Sequence, residues 1–133
     1  MADRIYYLEQ PLSDEDAMFV SETLFDGRPG VQVRIPHVLP SRVGKPFSAP
    51  EAETHERLLR KHLRSAGIAS DSGRQVVFVI PRDLYWQHVI SEAVAAETGV
   101  YPWLVQTKSH RDAIDNPGEV RILDMEGLLG RKG

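Results

Sequence analysis

The stretch QVVFVI, residues 75–80, constrains this chain more than any other segment, because its unbroken apolar run fits a strand covered on both faces. Such a strand belongs at the centre of a parallel sheet with helices above and below. Its neighbours agree. RIYYL at 4–8 and GVQVRIP at 30–36 read as strands, YPWLVQT at 101–107 as a fourth and EVRIL at 119–123 as a fifth. Helical patterns fall between them. Ser13, ahead of Asp14, Glu15 and Asp16, caps a first helix that closes at Gly27. Ser48 and Glu51 form a capping box with Pro50 at an early helical position, and Leu58, Leu59, Leu63 and Ala66 mark an apolar stripe ending at Gly67. A third helix is expected over 83–98, stopping at Gly99, and HRDAID, residues 110–115, reads as a short helical turn. This alternation predicts an α/β fold, a small Rossmann-like sandwich of about five mostly parallel strands with helices on both faces. The whole of residues 1–133 is expected to form one domain.

Charge and composition exclude several functions. A formal charge of -3 gives no broadly basic surface for a general grip on nucleic acid, so any phosphate site must be local. The absence of cysteine removes disulfides, thiol nucleophiles and Cys-based zinc sites. MADRIYYLEQ lacks the basic and apolar regions of a signal peptide, and no window is apolar enough to span a membrane, which predicts a soluble cytoplasmic protein. No glycine-rich fingerprint follows the central strand, so neither a dinucleotide site nor a P-loop is supported, and no Gly-x-Ser-x-Gly elbow is present. His55 and His62 in HERLLRKH are seven residues apart where a zincin helix needs about four; they read as core-edge rings, and neither a metal nor another cofactor is expected. Asp112, Asp115, Asp124 and Glu126 read as solvated carboxylates.

The residues best placed for chemistry follow the strands. In open α/β sheets ligands sit outside the carboxyl ends of the strands, and Arg82, Tyr85, Trp86 and His88 lie just beyond the central one. Two readings stand. In one, Trp86 is core, His88 a half-buried ring and Arg82 a solvated cation. In the other, Arg82 and the helix start hold an anion while Trp86 or Tyr85 stacks on a base. The proline-rich segment after the second strand carries Arg34, His37, Arg42 and Lys45, and Lys108, His110 and Arg111 follow the fourth. All three groups are expected at one edge of the sheet, where they read either as a focused positive pocket for an anionic, nucleotide-like ligand or as solvated basic loops with no ligand.

Arg82-x-x-x-Trp86-x-His88, followed by a helix and then Pro102-Trp103-Leu104-Val105, resembles a segment of the small CRISPR-associated ring nucleases, which degrade cyclic oligoadenylate messengers. The opening YYLEQPLSDED is loosely similar to that family's first strand and turn, and the likeness covers about a third of the chain. The family's Asp-Pro turn is replaced by Gln106-Thr107-Lys108, which removes the residue a family-like metal dependence would need, and residues 36–67 have no counterpart. The resemblance implies a cyclic RNA ligand, a phosphate contact at Arg82, and a ligand-contacting or acid/base role for His88.

Cleavage without metal is chemically feasible. A ribose 2′-hydroxyl can attack its own 3′-phosphate when held in line, with cations stabilising the developing charge and an imidazole accepting the proton. His37, His88 and His110 are the candidate acceptors, and the residues alone do not choose among them. A non-catalytic sensor or protein-interaction module using the same face, or an enzyme acting on a small phosphorylated metabolite, fits the same features. A two-fold homodimer would match a symmetric ring-shaped ligand, with Leu128 and Leu129 helping to bury the interface.

Overall fold

The computed structural model describes residues 3–8, 10–36, 45–80, 84–106 and 120–130. In chain order the elements are β1 (Asp3–Tyr7), α1 (Asp14–Leu24), β2 (Gly30–Arg34), α2 (Ala49–Ser65), a 3₁₀ turn (Ile68–Asp71), β3 (Val77–Ile80), α3 (Leu84–Thr98), β4 (Trp103–Gln106), β5 (Arg121–Asp124) and a terminal π-helical turn (Glu126–Gly130). The five strands form one sheet in the order β2-β1-β3-β4-β5. The pairs among β2, β1, β3 and β4 are parallel, whereas β5 runs antiparallel to β4. The expected α/β sandwich is therefore present, with one antiparallel edge.

Strand alternation divides the core in two. Tyr6, Leu8, Phe78, Ile80 and Leu104 face one way, against Leu59 and Leu63 of α2 and Trp86, Ile90 and Val94 of α3. Ile5, Val77, Val79 and Val105 face the other way, against Val20 of α1. Right-handed crossovers require this arrangement: the chain turns from β1 toward β2 through α1, then reverses toward β3 and β4 through α2 and α3. Each of Val77, Phe78, Val79 and Ile80 is buried, which is why β3 reads as an uninterrupted apolar run.

The helix signals act as the sequence suggests. The Ser13 side chain accepts from the Asp16 backbone N–H at 3.2 Å, and Ser48 accepts from that of Glu51 at 3.4 Å. Gly27, at φ +82°, donates its N–H to the Ser21 carbonyl at 3.0 Å and closes α1 through a left-handed turn. Gly30 answers a packing constraint instead: a Cβ there would lie 2.8 Å from Ile5 Cδ1 and 2.9 Å from Phe25 Cε2.

Two expectations need correction. Leu58, placed on the buried stripe of α2, is 43% exposed, while Leu59 and Leu63 are fully buried. Asp124 and Glu126 are half-buried structural acceptors rather than solvated carboxylates: Asp124 Oδ1 accepts from Gln75 Nε2 at 2.6 Å and from the Gly127 N–H at 3.0 Å, and Glu126 accepts from the Tyr101 N–H at 2.7 Å. After α2, the 3₁₀ turn Ile68–Asp71 buries Ile68 and Asp71. The helical turn expected at 110–115, with Asp112 and Asp115, lies outside the described residues.

Ion pairs tie the amino ends of the strands together. Buried Asp3 receives Arg28 at 2.9 Å and Arg74 at 3.4 Å, while the Tyr6 hydroxyl donates to buried Asp71. On the helical layer, Arg60 and Arg64 of α2 meet Glu97 of α3 at 2.8 and 2.6 Å. The hydrogen bond from Arg64 is the main reason Glu97 titrates below an ordinary carboxylate.

Leu59→Ala is expected to destabilise by about 2–5 kcal/mol, while Leu58→Ala stays within about 0.5 kcal/mol, as read by urea unfolding. A second expectation concerns alkaline pH. Burial, aided by the bond to Asp71, pushes the Tyr6 phenol from 10.0 up to about 12. The protonated phenol is favoured by the folded state, so its contribution is complete below pH 10 and lost as pH rises toward 12. Thermal melts across that window should fall less steeply for Tyr6→Phe than for wild type.

Candidate functional site

Chain direction selects one edge of the sheet. The crossover direction reverses between β1 and β3, and in doubly wound sheets the carboxyl ends of the strands at such a reversal are the usual ligand position. α3 starts at this edge because it follows β3, and α2 starts there because it follows β2. The starts of the two helices bring together five rings from two distant stretches, Phe47 and His55 on one side and Tyr85, Trp86 and His88 on the other.

Tyr85 is the hub of this cluster. Its hydroxyl lies 2.5 Å from His55 Nδ1, a hydrogen bond between α3 and α2. The Tyr85 ring meets Trp86 edge-on at 4.9 Å and Phe47 at 5.7 Å. His55 also packs on Trp86, at 4.9 Å with the rings tilted by 47°. Phe47 reaches across to His88 at 5.7 Å, with an interplanar angle of 79°. Exposure grades outward through the cluster: Trp86 is 1% exposed, Tyr85 8% and Phe47 60%, and His88 is exposed as well.

These positions settle several sequence readings and redirect others. Trp86 is a core side chain, and neither it nor the nearly buried Tyr85 offers a solvent-facing platform for a base. His88 lies at the solvent boundary rather than half-buried. Arg34 is exposed, but alternation with Val33 and Ile35, which pack toward α2 and α3, places it on the α1 face of β2, away from the ring cluster. Lys45 is exposed two residues before Phe47. Arg82, His37, Arg42, Lys108 and His110, together with Arg111, lie outside the described residues.

The α1 side of the edge has a different character. Its first turn carries Asp14, Glu15 and Asp16, whose carboxylates already answer the positive end of the helix. An anionic ligand is disfavoured there. The Gln32 side chain holds the approach to α1, with Oε1 accepting from the Leu12 N–H at 2.6 Å and Nε2 donating to the Leu12 carbonyl at 3.1 Å.

No protein-family model, curated protein or solved structure matches the chain. Among the described residues, no group of three or more His, Cys, Asp or Glu side chains could hold a metal ion, and no helix is long and apolar enough to cross a membrane.

Sequence reasoning missed Phe47, whereas His55 is the core-edge ring it expected, half-buried against Trp86. Phe47 precedes the Ser48 cap, where an apolar residue usually packs on the fourth helical position; here that position is Ala52, and the observed ring contacts of Phe47 are with Tyr85 and His88 instead. His55 and Tyr85 are thirty residues apart, a pairing no local pattern reports. Tyr85→Phe, which deletes only the hydroxyl, should cost about 1 kcal/mol. His55→Leu should cost no less, and the double variant should lose less than the sum, as measured by a double-mutant cycle in urea.

Proposed function

We propose that the protein binds and cleaves a cyclic oligoadenylate, a phosphodiester second messenger, as a cytoplasmic CRISPR-linked ring nuclease. The observation that carries this reading is the exposed Phe47–His88 pair, with Phe47 packed on Tyr85, at the carboxyl edge where the crossovers diverge. The likeness of Arg82-x-x-x-Trp86-x-His88 and Pro102-Trp103-Leu104-Val105 to ring nucleases supports the choice of ligand.

The chemistry follows from the residue types. With the ring held so that a 2′-oxygen lies in line with the adjacent phosphorus, the bond from that oxygen to phosphorus forms as the bond to the 5′-oxygen breaks. His88 accepts the 2′ proton, and the departing 5′-oxygen takes a proton from solvent. The products carry a 2′,3′-cyclic phosphate and a 5′-hydroxyl. Lys45 and Arg82 supply positive charge to the phosphate, and His37 is the second candidate for the proton-accepting role. A two-fold pair of chains would face a symmetric ring with two such sites, and Leu128 and Leu129, 65% and 42% exposed, offer apolar surface for pairing.

A second reading is binding without turnover. It is favoured by the position of Arg34 on the α1 face, which leaves Lys45 and His88 as the polar groups closest in sequence to the exposed rings among the described site residues. Incubation with radiolabelled cyclic tetra- and hexa-adenylate separates the readings. The nuclease reading predicts linear products from wild type and a rate lowered about 100-fold in His88→Ala. Intact substrate with a raised melting temperature would indicate a sensor, and intact substrate without binding would reject both.

A further inference from the structure

We propose that Phe47 is the residue on which the ligand's base stacks, and that it sets a preference for purine over pyrimidine; this deepens the nucleotide-ligand reading above and rests on it. A stacking platform must present an aromatic face to solvent and be held in place before the ligand arrives. Trp86 and Tyr85, the rings the sequence offers for this purpose, are 1% and 8% exposed and fail the first condition. Phe47, at 60% exposure, meets it.

The second condition is met by what surrounds Phe47. Its ring packs against Tyr85 and His88 at interplanar angles of 62° and 79°, so neither contact is a parallel stack of the kind a base would make. Tyr85 is itself anchored through its bond to His55. On the chain, Ser48 follows Phe47 directly and is fixed as the α2 cap, accepting from Glu51 through its side chain and from the Ala52 N–H through its carbonyl at 2.9 Å. A platform restrained from both directions loses little freedom when a ligand binds.

The neighbours suit a nucleotide. Lys45 is exposed two residues away, within about 7 Å along an extended chain, close enough for a phosphate contact beside a stacked base. Leu84, 81% exposed at the start of α3, adds apolar surface on the same pair of helix starts. A purine covers more of an aromatic face than a pyrimidine does, so stacking strength gives preference without hydrogen-bond readout.

Isothermal titration of the full chain with cyclic tetra-adenylate and with cyclic tetra-uridylate, at low and moderate salt, tests this. Wild type should bind the adenylate ring more tightly. Phe47→Leu, which keeps the apolar bulk and removes the ring, should weaken adenylate binding about tenfold or more and narrow the gap between the two rings. The salt dependence should not change, because no phosphate contact is lost. Phe47→Trp should restore tight binding, which separates stacking from any effect of Phe47→Leu on folding, itself read by the melting temperature. If wild type binds the adenylate ring and Phe47→Leu binds it equally well, or if Phe47→Trp is as weak as Phe47→Leu, the role of Phe47 is overturned while the nucleotide reading stands. If wild type binds neither ring, both are overturned.

Discussion

Val77, Phe78, Val79 and Ile80 have no solvent face, and the rest of the architecture answers to that constraint. Burying side chains of this size stabilises the fold by about 1.5–3 kcal/mol each, but only if helices cover the sheet above and below. A right-handed chain meets the requirement by sending α1 toward one face and α2 and α3 toward the other. The direction of the crossovers changes between β1 and β3, so the arrangement that seals the core also brings the starts of α2 and α3 to the same edge of the sheet. The site is thus a consequence of how a two-sided strand is buried.

The same constraint explains the gradient through the ring cluster. Trp86 sits where α3 lies on the sheet and is taken into the core; Tyr85, one residue back, fills the seam with α2 and finds His55. Phe47, one layer farther out, packs on Tyr85, and His88 packs on Phe47, while both face solvent. The helices themselves are pinned by Arg60, Arg64 and Glu97 near their far ends, where Glu97 is nearly buried and both guanidinium groups reach it. The seam is therefore restrained at both ends.

Much of the architecture was legible because its signals are local. The apolar run at 75–80, the caps at Ser13 and Ser48 and the left-handed Gly27 each act within a few residues, and each appears where expected. What was not legible depends on distance or direction. The antiparallel course of β5 follows from how the chain returns, not from the composition of Arg121–Asp124. Leu58 satisfies a helical spacing yet falls outside the contact with α3, because spacing identifies a stripe but not its width. Residue type did not choose between the two readings of Trp86, and burial does: the larger ring lies next to the sheet, and Phe47 lies on the rim. Tyr6 and Asp71, sixty-five residues apart, form a buried pair that no sequence window could contain.

Amide chemical-shift mapping during titration with cyclic tetra-adenylate tests the location of the site most directly. The account predicts that the largest perturbations fall on Lys45, Phe47, Leu84 and His88, with the amides around Asp3, Asp71 and Arg74 at the opposite edge unchanged. Perturbations centred on that opposite edge, or on the acidic first turn of α1, would contradict it.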